Sequence, residues 1–230
     1  MENESENKYY YTQSEKIIMV LFTCITHIFL LPILFLMKYQ KRNYCYYLSI
    51  FTFICSFFYH ICESLDVIIF VSFTKWNELV NIGVISCLNS LLISITKFCF
   101  DKKEQKMMNY FALFMILVYQ KRGPFNLINA IVPICIIILF VVYKLVKYGI
   151  PKYNRVNLIK GDIFFIIGMI LFYFSLSLNN DYMRFYHFLS YIFEGISFFY
   201  LWQIQIDNSL SIKDIYIFAI GKKNNLIEIK

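Results

Sequence analysis

Apolar residues fall in blocks along this chain, separated by short polar loops. Several blocks approach the roughly twenty residues that a helix needs to cross a bilayer core. They predict spans over Ile17 to Met37, Tyr44 to Cys62, Trp76 to Phe98, Met107 to Gln120, Phe125 to Tyr148, Asp162 to Leu178 and Arg184 to Ile206. His27 and Pro32 interrupt the first block, and a proline inside a membrane helix kinks it. Met107 to Gln120 is short for a full crossing. Leu65 to Phe73 is shorter still and reads as an interfacial or re-entrant segment. The expected fold is therefore all-α, a polytopic seven-transmembrane-helix bundle over residues 15–206. A polar tail, 1–14, precedes it and a tail, 207–230, follows, in which Ile215 to Ile220 and Leu226 to Ile229 are spaced for a small hairpin.

Composition agrees with the pattern. Of 230 residues, 59% are hydrophobic, 20% are aromatic and only 16% are charged, against roughly a quarter charged in soluble domains. A soluble helical bundle needs more charged surface than this. The net charge of +7 does not imply nucleic acid, because the basic residues sit in short loops. Lys38, Lys41 and Arg42, then Lys102, Lys103 and Lys106, then Lys144, Lys147, Lys152, Arg155 and Lys160 belong to alternate loops. The positive-inside rule then puts the N-terminus outside or lumenal and the C-terminus cytosolic, with only the Lys121-Arg122 turn against it. The membrane itself, plasma membrane or endomembrane, is left open. The seven cysteines are scattered without a CxxC pair, so neither a disulfide framework nor a zinc knuckle is indicated. No basic n-region feeds an apolar run in the first fourteen residues, and the first span is expected to serve as the targeting element.

Chemistry is concentrated where polar residues interrupt the apolar blocks. In Cys55-Ser56-Phe57-Phe58-Tyr59-His60-Ile61-Cys62, Ser56 and His60 lie four residues apart and share one helix face. The expected topology puts His60 near the outer face with Ser56 a turn deeper, and likewise His187 with Tyr191 a turn deeper; Asn81 falls at the same level. Two imidazoles at one depth suit a shared Zn²⁺, but zinc normally takes three protein ligands, and from spacing alone plain interhelical hydrogen bonding is the favoured account of the same residues. His27 and Glu194 lie deeper, near the midplane. Either they pair with each other, or each is capped by separate backbone or hydroxyl partners.

Four motifs carry a resemblance. His27 to Pro32, the Ser56 to Cys62 run, Phe125-Asn126-Leu127-Ile128, and Asn180-Asp181-Tyr182 followed by His187 occur in this order. Together they resemble the transmembrane-protein-8/myomaker family, which includes post-GPI-attachment factor 6, within the CREST superfamily of seven-span membrane hydrolases. The resemblance implies that His60 and His187 are metal ligands of a Zn²⁺ centre, with Ser56 assisting the water or the oxyanion. It also implies a membrane lipid or lipid-anchored protein as partner. Two family positions differ: its second histidine of the last motif falls on Tyr191, and its third-helix aspartate falls on Asn81. Tyr191, Glu194 or Glu78 is then the expected third ligand, or the metal centre is lost, and Asn81 is left to make polar contacts to the oxyanion. The alternative implied by these differences is a degenerate member acting as a membrane scaffold or in membrane remodelling.

Overall fold

The computed structural model describes residues 11–96, 102–123, 126–175 and 181–204. The expected tail hairpin lies outside them. The described residues form eight α-helices: α1 (Gln13–Ile28), α2 (Leu31–Tyr39), α3 (Asn43–Leu65), α4 (Phe73–Ile95), α5 (Lys102–Gln120), α6 (Leu127–Tyr148), α7 (Arg155–Ser175) and α8 (Phe185–Leu201). Five stretches, 13–39, 43–65, 73–95, 127–148 and 155–175, are long and apolar enough to cross a membrane. The protein is an all-helical, multi-pass membrane protein.

Local chemistry explains the boundaries. Thr12 starts α1 through a capping box, its hydroxyl accepting from Glu15 N–H while the Glu15 carboxylate accepts from Thr12 N–H at 2.6 Å. The expected first span is two helices. Pro32 has no N–H to continue the ladder, and the chain breaks at Phe29–Leu30, where 3.1 Å bonds return to Thr26 and His27 carbonyls. Pro133, by contrast, lies inside α6 without ending it. Asn154 accepts from Asn157 N–H and starts α7 earlier than the apolar pattern indicated. The short apolar segment after α3 is not helical. Asp66 takes a left-handed conformation that ends α3, and 67–72 makes a tight turn closed by an Ile69–Val71 bridge. Trp76 Nε1–H donates to Ile69 O at 2.8 Å and holds that turn against α4. Ile68 and Phe70 are its exposed apolar tips.

Exposed and buried faces are those of a lipid-facing bundle. Leu139, Val142 and Val146 of α6 and Ile159, Ile163, Ile166 and Ile170 of α7 are exposed, a distribution that suits hydrocarbon rather than water. Close helix approach comes from small residues, as expected where lipid and protein are equally apolar. A Cβ at Gly161 of α7 would lie 2.6 Å from Leu201 Cδ2 of α8, and one at Gly168 would lie 3.0 Å from Glu194 Cγ. Gly195 of α8 lets the Phe29 carbonyl at the α1–α2 break come equally near. Ser197 reinforces the α7–α8 seam by donating to Gly161 O at 2.9 Å. These contacts seat α8 against both α7 and α1, and that fixes which side chains face α3.

Gly161→Val is expected to destabilise the protein by about 1–3 kcal/mol through overpacking against Leu201. Ile166→Val, on the exposed face of the same helix, is expected to stay within about 0.5 kcal/mol. Thermal unfolding in detergent measures both.

Candidate functional site

Three helices, α1, α3 and α8, bring together all three histidines of the chain. His27 and His60 have ring centroids 5.9 Å apart, and those of His60 and His187 are 5.1 Å apart. Tyr191 stands among them, at 5.2 Å from both His60 and His187 and 6.0 Å from His27. Of the residues expected at one level, Ser56, His60, His187 and Tyr191 are brought together by α3 and α8, Asn81 lies on α4, and His27, expected deeper, joins the cluster.

Hydrogen bonds give the cluster its order. His27 Nδ1 lies 2.8 Å from Thr23 O, one turn back on α1, and Nε2 lies 3.1 Å from Ser56 Oγ. A carbonyl only accepts, so in the neutral ring Nδ1 carries the hydrogen and Nε2 accepts from the Ser56 hydroxyl. His60 Nδ1 is 3.2 Å from Glu63 Oε2 and Nε2 is 3.0 Å from Tyr191 Oη. Tyr191 and Ser56 both line one cavity, which sets the two halves side by side. Glu63 passes the row outward to Arg184, whose Nη2 donates to Oε1 at 2.5 Å. The result is two hydrogen-bonded strings side by side in one row, Thr23 carbonyl–His27–Ser56 and Tyr191–His60–Glu63–Arg184. His187 stands beside it, with Nδ1 3.4 Å from Ser175 Oγ of α7.

The start of α8 sets the two ends of this row. Met183 and Arg184 adopt left-handed conformations, which turn Arg184 back toward Glu63. The buried Asp181 carboxylate accepts from Tyr186 N–H at 2.6 Å and His187 N–H at 3.2 Å, satisfying the free amides of the first turn. Burial pushes the Asp181 carboxyl above its ordinary value, while these two amides and Arg184 pull the other way.

The deep carboxylate does not pair with His27. Both His27 ring nitrogens are occupied by Thr23 and Ser56, the capping alternative for that residue. Glu194 instead lines a cavity of about 100 Å³ between α2, α3, α4 and α8, with Ser56 and Tyr191 also in its wall. The rest of the lining is mostly apolar, including Leu34, Phe53 and Val84. Asn81 is half-buried on α4, between the buried Val80 and Ile82.

Zinc normally takes three protein ligands. His60 and His187 are adjacent, and Glu63 and Ser175 engage their Nδ1 atoms as the partners of metal-bound histidines do. The expected third ligand is not aimed at the same point. The Tyr191 hydroxyl is bonded to His60 Nε2, and Glu194 lines the cavity. The His27 and His60 Nε2 atoms address different hydroxyls. Among the described residues no three His, Cys, Asp or Glu side chains are grouped to hold a metal ion. The zinc set as expected is incomplete in this arrangement.

Glu63, Arg184, Asp181 and Ser175 were not singled out as site residues in the sequence. Glu63 had a readable signal, three residues after His60 on the same helix face. Arg184 had none, because its direction depends on two left-handed residues.

Fold and cluster together define a class, a multi-pass helical membrane protein with a histidine–hydroxyl row buried between its helices. The chain belongs to the family described as "Protein of unknown function (DUF3522)", whose model matches residues 15–192. That match takes in the whole row from Thr23 to Tyr191 and stops short of Glu194. No curated protein matches the chain.

Glu63→Ala is expected to cost about 1–3 kcal/mol, below the fully buried range because Arg184 remains 25% exposed. Combined with Arg184→Ala, the losses are expected to be clearly non-additive. A double-mutant cycle on thermal unfolding measures the coupling.

Proposed function

We propose that this protein is a membrane-embedded hydrolase that cleaves ester-linked acyl chains from a lipid or a lipid-anchored protein, GPI anchors included, at the outer or lumenal leaflet. The observation that carries the reading is the placement of Ser56 and Tyr191 in the wall of a mostly apolar cavity, with a histidine behind each hydroxyl. Hydroxyls backed by imidazoles are the groups that acyl transfer uses, and an apolar cavity suits the substrate's chain. The resemblance of the motifs to the transmembrane-protein-8/myomaker family of the CREST superfamily points to the same class of reaction. In this reading all seven apolar blocks cross the bilayer, with the N-terminus outside or lumenal. The basic loops after α2, α4 and α6 then face the cytosol.

Turnover of a panel of fluorogenic ester lipids by the protein in nanodiscs tests the proposal. Wild type is expected to release fatty acid, and Ser56→Ala to lower the rate by about 10²-fold or more. A folded protein inert on the whole panel would favour the rival reading, a scaffold or remodelling protein. The adjacency of His60 and His187 favours zinc as the alternative source of the nucleophile. Stoichiometric zinc that is lost in His60→Ala would assign the chemistry to the metal.

A further inference from the structure

We infer that Ser56 is a covalent nucleophile and His27 its general base, so that the reaction runs through an acyl-serine intermediate. This rests on the reading of the protein as an acyl hydrolase and specifies its chemistry. The arrangement meets the geometric conditions for an activated serine: nucleophile and base within hydrogen-bond reach, and the base oriented by a third group. Ser56 Oγ lies 3.1 Å from His27 Nε2, and the Thr23 carbonyl holds the opposite nitrogen at 2.8 Å. That carbonyl selects the tautomer whose Nε2 lone pair faces the serine, the task a carboxylate performs in the serine–histidine–aspartate triad. Phe53 and Phe57 flank the His27 ring edge-on, with centroids 5.5 and 5.6 Å away, and hold its plane.

The cavity supplies the electrophile. Its wall follows α3 from Ser56 to Ser49 and α8 from Tyr191 to Trp202, about 10 and 16 Å along the two helix axes. An ester-linked acyl chain lying in it, chain toward Met37 and Trp202, brings its carbonyl to Ser56. Oγ attacks the carbonyl carbon while its proton passes to His27 Nε2. The tetrahedral intermediate collapses by breaking the bond to the alcohol oxygen, and His27 returns the proton to that leaving alcohol. Water then attacks the acyl-serine, giving its proton to His27. The fatty acid leaves and Ser56 Oγ takes the proton back. Tyr191, whose hydroxyl lies 3.0 Å from His60 Nε2, lines the same cavity and is placed to turn that hydroxyl to the developing oxyanion. His60, Glu63 and Arg184 act through Tyr191 and are positioning residues.

An alkyl fluorophosphonate captures a nucleophilic serine without needing the natural substrate. The wild-type protein in nanodiscs is expected to become labelled on Ser56, located by peptide mass spectrometry. Ser56→Ala should abolish labelling and His27→Gln should slow it by about 10²-fold or more, with thermal unfolding confirming that each variant is folded. If His27→Gln does not fold, His27→Asn serves, and Tyr191→Phe should keep Ser56 labelled at a reduced rate. Hydrolysis of ester lipids without labelling of Ser56, or labelling that persists in Ser56→Ala, overturns the inference while leaving the proposed function standing. Neither hydrolysis nor labelling overturns both.

Discussion

A polar side chain in the hydrocarbon region has no water to bond to, so its partners must come from the protein. That constraint organises this molecule. His27 and His60 each satisfy one ring nitrogen within their own helix, through the Thr23 carbonyl and Glu63, and the other across helices, through Ser56 and Tyr191. Together these bonds make a row that crosses from α1 to α3 to α8. The seating of these three helices follows from the row as much as from apolar packing. Arg184 closes it at the partly exposed end, and the Thr23 carbonyl closes it at the buried end.

Close packing makes the row possible. Hydrogen bonds near 3 Å between side chains on separate helices require the backbones to approach, and the glycines permit this. Gly168 gives the Glu194 side chain room beside α7, and Gly195 lets α8 touch the α1–α2 break. The break itself belongs to the same design. With Pro32 ending the ladder, α2 turns away over Leu36, Met37, Phe199 and Trp202, the largest apolar cluster, and the cavity lies along that cluster. The catalytic reading and the packing therefore rest on the same few residues.

Much of this was legible in the sequence. Twenty-residue apolar blocks give the helices, because hydrocarbon thickness fixes length and every backbone group must bond within its own segment. The i, i+4 spacings of Ser56 with His60 and of His187 with Tyr191 give two faces of the site. The rest depended on tertiary detail. Whether His27 meets Glu194 or Ser56 is decided by the rotation of α1 about its axis, which no spacing within α1 encodes. The contact of Arg184 with Glu63 depends on left-handed Met183 and Arg184, residue types that rarely adopt that conformation. The split of the first block into α1 and α2 was signalled by Pro32. Pro133 gave the same signal inside α6, where the helix continues, so proline alone does not separate a break from a kink.

The central claim is that His27 is a neutral imidazole with its hydrogen on Nδ1 and its Nε2 bonded to Ser56. With only three histidines in the chain, ¹⁵N magnetic resonance of the imidazole nitrogens resolves each ring and reports its tautomer directly. The account predicts a protonated Nδ1 and a bare, hydrogen-bonded Nε2 for His27, the Nε2 signal shifting when Ser56 is replaced by alanine. A His27 ring protonated on Nε2, or one indifferent to Ser56→Ala, would contradict it.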